Sequence, residues 1–147
     1  MVTKISAVAL FLGALVFSAF AQETARLQVI HNAADPAAEV VDIYLNETLL
    51  LDDFGFREAT SYIDAPAGEE IAIGVAPGSS ENVSEALAVI PLTLTAGETY
   101  IAIANGVLDP SGFAANPDAI ATGFELLIQS AGREIAEDPD KVEFIVV

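Results

Sequence analysis

The chain has 147 residues, which fits one globular domain, and it contains no cysteine. Without cysteine it has no disulfide framework and no thiolate for metal binding or nucleophilic catalysis, so the fold depends on its hydrophobic core. Its 22 acidic and 5 basic residues give a net charge of −17, which disfavours binding to nucleic acid or to an anionic membrane surface.

The first 21 residues have the pattern of a secretory signal peptide. Lys4 gives a positive start, Ile5 to Phe17 is an uncharged apolar run, and Ala19-Phe20-Ala21 matches an A-x-A cleavage site. The apolar run is short for a membrane span, and no second candidate follows it in the sequence. We therefore expect a secreted or cell-surface protein whose mature chain begins at Gln22. Export without cysteine favours a bacterial source.

The segment Arg26 to Leu45, RLQVIHNAADPAAEVVDIYL, predicts two β-strands around a turn. In Arg26–His31 every second residue, beginning with Leu27, is expected to face the core, and Val40–Leu45 alternates in the same way. Asn, Asp and Pro between the two strands favour a turn. Further strands are predicted at Thr48–Leu51, Glu58–Asp64, Glu69–Ala76, Ala86–Leu94, Thr99–Asn105 and Phe124–Gln129. In Glu69–Ala76 the alternation places Ile71, Ile73 and Val75 inside and Glu70, Ala72 and Gly74 outside.

Three local features modify this pattern. Asp52–Phe56 interrupts the alternation after the third strand, and Pro91 predicts that its strand lies at a sheet edge or contains a bulge. The run Gly106–Gly123 is long for a loop in a compact domain, and within it Pro117–Thr122 is expected to form one helical turn. Regularly spaced short strands with Gly and Pro turns predict an all-β sandwich.

The segment HNAADPAAEVVDIYL resembles the opening motif of a secreted bacterial family, domain of unknown function 4397 (DUF4397). That motif has a strand, a His, a short turn and then V-D-V-Y, and His31, Asp35 and Val41–Tyr44 occupy those places. Ala34 departs from it where the family often has Pro, and the turn is one residue longer. Later agreements are Phe54-Gly55, Tyr62, Pro66-Ala67-Gly68 and Ala96-Gly97-Glu98-Thr99-Tyr100, so the resemblance covers roughly Arg26 to Gln129.

This resemblance implies an immunoglobulin-like antiparallel β-sandwich of about seven strands, often present in tandem copies on exported proteins. It implies no known activity and offers no catalytic residues. We expect a signal peptide at 1–21, the sandwich at 26–129 and a linker at 130–141. Residues 142–147 resemble the first strand and are interpreted as the opening strand of a truncated second copy. The alternative is a final strand of the first domain.

The residues give no support for catalysis or for a cofactor. His31 is the only histidine and alternates with core residues, so we expect a hydrogen-bonded structural role for it. Zinc needs several His or Cys ligands, and neither a G-x-S-x-G motif nor a glycine-rich phosphate loop before a helix is present. We therefore expect no enzyme.

The long loop holds the candidate ligand or partner residues Asp109, Phe113 and Asp118. Loops on a rigid scaffold commonly carry binding residues, although Phe113 has the alternative of covering the end of the sandwich as a plug. Carboxylates at turns are also potential calcium ligands, without EF-hand spacing. They are Asp52-Asp53, Glu69-Glu70, Asp109, Asp118 and Asp138 with Asp140.

The resulting hypothesis is a structural or adhesive module of a larger exported protein. Its partners would be neighbouring domains of that protein and a surface polymer or protein. The alternative is a carbohydrate- or calcium-binding module that acts through its end loops. The chain lacks Trp and its three Tyr lie in predicted strands, which argues against an aromatic carbohydrate-binding face.

Overall fold

The computed structural model describes residues 23–146, which form two four-stranded β-sheets. The expected signal peptide, residues 1–21, lies outside the described residues. No helix in the described part of the chain is long and apolar enough to cross a membrane. The strands are β1 (Thr24–Asn32), β2 (Val40–Leu45), β3 (Thr48–Gly55), β4 (Ile63–Pro66), β5 (Glu70–Pro77), β6 (Ala88–Thr93), β7 (Thr99–Asn105) and β8 (Glu125–Ser130).

The first sheet has the order β4-β1-β7-β8 and the second has the order β3-β2-β5-β6. Neighbouring strands are antiparallel except for β1 and β7, which are parallel. The predicted all-β sandwich is therefore confirmed, with eight strands and one parallel pair. The core between the sheets includes Leu27, Val29, Val41, Ile43, Phe54, Ile71, Ile73, Val75 and Ala102.

The alternation in β1 and β5 places their side chains as predicted. Leu27, Val29 and His31 are all buried, and so are Ile71 and its alternate neighbours in β5. Full burial of an aliphatic side chain of this size contributes about 1.5–3 kcal/mol. Strand β6 lies at the edge of the second sheet, as Pro91 predicted. Proline has no backbone N–H to donate, and an edge strand needs partners on one side only.

A loop of residues 78–87 covers the outer face of the second sheet. Gly74 faces outward as predicted but is buried, because Val83 of this loop lies over it. A Cβ added at Gly74 would lie 2.9 Å from Val83 Cγ2. On the same face Asp42 and Tyr44 are also buried. This 78–87 loop therefore shields a sheet face that alternation alone marks as exposed.

The predicted end of the third strand at Leu51 is wrong, because β3 continues to Gly55. The pattern breaks at Asp52-Asp53 because these two residues face the single residue Asp42, which makes a β-bulge. Asp53 takes a φ of 53°, and its backbone N–H donates to Asp42 Oδ1 over 3.0 Å. The side chain of Asp42 thus compensates for the interrupted ladder.

The predicted strand Glu58–Asp64 is wrong in its bounds, since β4 runs from Ile63 to Pro66. The preceding residues still follow β1, with Thr60 N–H donating to Val29 O over 2.9 Å. Leu27 pairs with Ile63 whereas Ile30 bridges Ala59, so the register shifts by one residue between them. A bulge in the 60–62 segment therefore shortens the regular strand.

The long run Gly106–Gly123 contains a 3-10 turn at Pro110–Gly112, not the predicted helical turn at Pro117–Thr122. Pro117 and Asp118 form an ordinary turn. After β8 the chain crosses the end of the first sheet, where Gly132 N–H donates to Thr99 O over 2.9 Å. Residues 142–146 lie in no strand, and their interpretation as part of a second copy stays a prediction.

Candidate functional site

Three loops surround an open groove at one end of the sandwich. Strands β1 and β7 are parallel, so they deliver Asn32 and Asn105 side by side to this end, with Asn32 Nδ2 donating to Asn105 Oδ1 over 3.1 Å. The β3–β4 connection contributes Phe56. The groove has a volume of about 590 Å³. It is lined by Asn32, Ala34, Phe56, Asn105, Gly106, Val107, Phe113, Ala114, Asn116, Ile120, Ala121 and Thr122.

His31 lies buried where β1 ends and holds the following turn. Its Nδ1 accepts a hydrogen bond from Ala33 N–H over 3.3 Å, so Nε2 carries the proton and donates to Ala38 O over 2.8 Å. The ring packs against Phe54 and Phe56, with centroid separations of 5.9 and 6.0 Å. Both ring nitrogens are thus used in shaping the turn, which is the structural role expected from the sequence.

Asp35 connects this turn to the long loop. Its Oδ1 accepts from Ala37 N–H and its Oδ2 accepts from Leu108 N–H, both over 2.8 Å. Asp35 is buried. The sequence marked Asp35 as a turn residue within the opening motif, not as a partner of the long loop. Its bond to Leu108 spans 73 residues along the chain, and no local pattern encodes that partner.

The three predicted loop residues do not converge on one point. Phe113 lines the groove and is 48% exposed, whereas neither Asp109 nor Asp118 lines it. The Asp109 carboxylate accepts from the Ser111 hydroxyl over 2.6 Å and from Ser111 N–H over 3.0 Å, and these bonds lower the pKa of Asp109. Asp109 therefore caps the 3-10 turn beside the groove, and Asp118 is an exposed turn residue.

The lining of the groove carries no charged side chain. Its polar groups are the amides of Asn32, Asn105 and Asn116 and the hydroxyl of Thr122, set among phenylalanine and aliphatic side chains. Outside the lining, the guanidinium carbon of Arg57 lies 5.1 Å from the ring centre of Phe56. Such a surface favours hydrogen bonding and apolar contact over ion pairing.

A cluster of carboxylates lies at the β3 bulge. Oxygen atoms of Asp42, Asp52 and Asp53 lie within 4.8 Å of one another. Asp42 already accepts from Asp53 N–H and from Ser80 Oγ–H, at 3.0 and 2.6 Å, so both of its oxygens have partners in the fold. In this cluster the Asp42 carboxylate stabilises the bulge by accepting from the Asp53 backbone.

Comparison with known proteins gives one family. A family model described as a domain of unknown function, DUF4397, matches residues 25–122, which is more than half of the chain. The match includes the whole first motif and extends into the long loop, and it confirms the resemblance found in the sequence. A search of curated proteins finds no match.

Proposed function

This chain belongs to the DUF4397 family, a domain of unknown function, and we propose that it is an adhesive, non-catalytic module of an exported protein. It binds its partner at the loop end of the sandwich. The observation that carries this proposal is the open groove of about 590 Å³ between Asn32, Phe56 and Phe113. Pockets of about 300–1,000 Å³ are typical of ligand sites, and loops on rigid sheets are their usual walls.

Export is supported by the sequence of residues 1–21, with its apolar run and its Ala19-Phe20-Ala21 cleavage pattern. The high net negative charge favours solubility outside the cell. In this proposal the mature chain begins at Gln22 and works beside neighbouring domains of a larger protein. Mass spectrometry of the secreted chain should find Gln22 as its first residue, and retention of residues 1–21 would contradict export by cleavage.

The non-catalytic role is supported by how the buried polar side chains are used. His31, Asp35 and Asp42 each bond to backbone N–H or C=O groups of turns and bulges near the sheet ends. A general base has to reach a substrate proton, and a nucleophile needs such a base beside it. His31 and Asp35 instead fix the loops around the groove, and Asp42 holds the β3 bulge and the 78–87 loop, so all three serve the scaffold.

Binding to fractionated cell envelope from the producing organism tests the proposed function. The mature protein is compared with Phe113→Ala, which removes an exposed wall of the groove, and with Val89→Ala on β6, which is 59% exposed but does not line it. We expect Phe113→Ala to lose binding and Val89→Ala to keep it. If both variants bind as well as the parent protein, the adhesive surface lies away from the loop end.

A further inference from the structure

We propose that the groove at the loop end holds a neutral oligosaccharide. This inference rests on the proposed function, since it names the ligand class of the same site. Three features of the groove carry it: the missing charge, the unused hydrogen-bonding capacity of its amides, and its exposed apolar walls.

The missing charge is unusual for this chain. The protein carries 22 acidic residues, yet no charged side chain is among the groove's lining residues. An anionic ligand would find no basic partner in the lining and would approach a molecule of net charge −17, which repels it. A cationic ligand would find no carboxylate in the lining. Arg57 lies beside Phe56 outside the lining, and the lining itself favours an uncharged ligand.

The amides provide donors and acceptors at the same place. Asn32 Nδ2 donates to Asn105 Oδ1, which leaves Asn32 Oδ1 to accept and Asn105 Nδ2 to donate. Asn116 Oδ1 accepts from Asp118 N–H over 2.8 Å, which leaves its Nδ2 to donate to a ligand. A sugar hydroxyl both donates and accepts. Adjacent hydroxyls on one ring therefore match this pair of amides.

The apolar walls match the other face of a sugar ring. Phe113 and Ile120 are 48% and 65% exposed, and Phe56 is half-buried between the groove and His31. A pyranose ring has C–H groups on its faces and hydroxyls on its rim, so it packs on an aromatic ring while its rim bonds to amides. The guanidinium of Arg57 lies over the Phe56 ring, so the exposed ring of Phe113 offers the stacking face and Phe56 forms the wall beside it.

A peptide fits the groove less well. Peptides are commonly held by main-chain bonds to an open strand edge. Here β1 and β7 are paired up to Asn32 and Asn105, and Val107 N–H already donates to Thr122 O over 2.9 Å. The groove thus offers mainly side chains to a ligand. That favours a molecule recognised by its rim of hydroxyl groups.

Nuclear magnetic resonance (NMR) titration of the isotope-labelled mature protein tests this inference. The probes are neutral oligomers of glucose, mannose, galactose and N-acetylglucosamine, an acidic oligogalacturonate, and a library of uncharged peptides. We expect saturable shifts of the Asn32, Asn105 and Asn116 side-chain amides with at least one neutral oligosaccharide. No shifts are expected with oligogalacturonate, because of the charge.

Variants and controls make the result specific. Phe113→Ala should weaken oligosaccharide binding at least about tenfold, and Asn105→Ala about fivefold, which corresponds to one apolar contact and one hydrogen bond. Val89→Ala should leave affinity unchanged, and an unchanged melting temperature in each variant shows that the fold is intact.

The outcomes separate the ligand class from the site. Envelope binding at the groove without binding of any neutral oligosaccharide, whether or not a peptide binds there, would overturn the saccharide and leave the proposed function standing. Oligosaccharide binding that Phe113→Ala does not weaken would place the saccharide elsewhere and overturn the inference. Envelope binding mapped to another surface, with no probe entering the groove, would overturn both.

Discussion

The Ser80 hydroxyl donates a hydrogen bond of 2.6 Å to the buried carboxylate of Asp42. Tyr44 OH lies 3.0 Å from Ser80 Oγ and donates to it, because the Ser80 proton is already directed at Asp42. These contacts attach the 78–87 loop to the outer face of the second sheet, while the other Asp42 oxygen holds the β3 bulge. One carboxylate thus stabilises both a loop and a bulge.

Removing this carboxylate should destabilise the fold strongly. Asp42→Ala leaves the Ser80 hydroxyl and Asp53 N–H without their acceptor, and we expect a loss of about 3 kcal/mol in the free energy of unfolding. Ser80→Ala removes one bond to the charged group and should cost about 2 kcal/mol. The exposed neighbour Ser79 provides the control, since Ser79→Ala should stay within about 0.5 kcal/mol. Equal urea midpoints for all three variants would contradict the account.

Replacing Asp35 and replacing Asp109 should have different effects, although both precede proline and cap 3-10 turns, at Pro36–Ala38 and Pro110–Gly112. Asp35→Ala also frees Leu108 N–H, so we expect a cost of about 2 kcal/mol and faster hydrogen exchange at the Leu108 amide. Asp109→Ala loses only a local, exposed cap, so it should destabilise the fold less than Asp35→Ala and leave exchange at Leu108 unchanged. Unchanged Leu108 protection in Asp35→Ala would refute the connection between the turn and the long loop.

Substitutions at three glycines distinguish the energetic cost of a positive φ from the cost of steric crowding. Gly106 has a φ of 83° and a Cβ there would collide with the backbone of Gly123, so Gly106→Ala should cost about 3 kcal/mol. Gly97 has a φ of 77° in open space, and Gly97→Ala should cost about 1 kcal/mol. Gly112 has neither feature, and its replacement by Ala should be nearly neutral. Thermal unfolding gives the order, and a neutral Gly106→Ala would contradict the close approach of Gly106 and Gly123.

The C-terminal segment should respond to acid through Glu134. Arg26 donates to both oxygens of Glu134, over 2.6 and 2.9 Å, which lowers the pKa of Glu134 and raises that of Arg26. A lowered carboxyl pKa gives stability that is present above the ordinary value of 4.5 and is lost as the pH falls through the folded-state pKa. We therefore expect the Gly132 amide signal, which reports its bond to Thr99 O, to change in that acidic range.

A charge-neutral variant provides the control for this titration. Glu134→Gln should show the released Gly132 signal already at neutral pH, with no further change on acidification. Glu125→Gln, at an exposed position on β8, should titrate like the parent protein. A Gly132 signal that titrates equally in Glu134→Gln would assign the change to another group.

Alternation predicted the strands wherever one face of a strand packs against the other sheet. It placed Leu27, Val29 and the β5 side chains correctly, because a period of two follows from strand geometry. It failed at β3 and β4, where bulges add one residue and disturb the period. It also marked Gly74 as outward without revealing the cover over it, since that cover comes from the 78–87 loop.

A short local pattern explains the turns better than loop length does. An Asp or Asn followed by Pro accepts from the N–H two residues on at Asp35, Asp109, Asn116 and Asp138. Each is an Asx turn with the proline in its second position. This pattern was available in the sequence and marks all four turns, and those that begin at Asp35 and Asp109 continue as 3-10 turns. The groove was not predictable in this way, because Asn32, Phe56 and Phe113 meet only through sheet pairing.

Chemical-shift mapping of the isotope-labelled mature protein against the envelope fraction it binds tests the central claim most directly. The account predicts that the affected residues are those of the loop end: 32–34, 56, 105–107 and 113–122. Shifts concentrated on the free edges of β6 and β8, or on residues 133–146, would contradict it and identify a different adhesive surface.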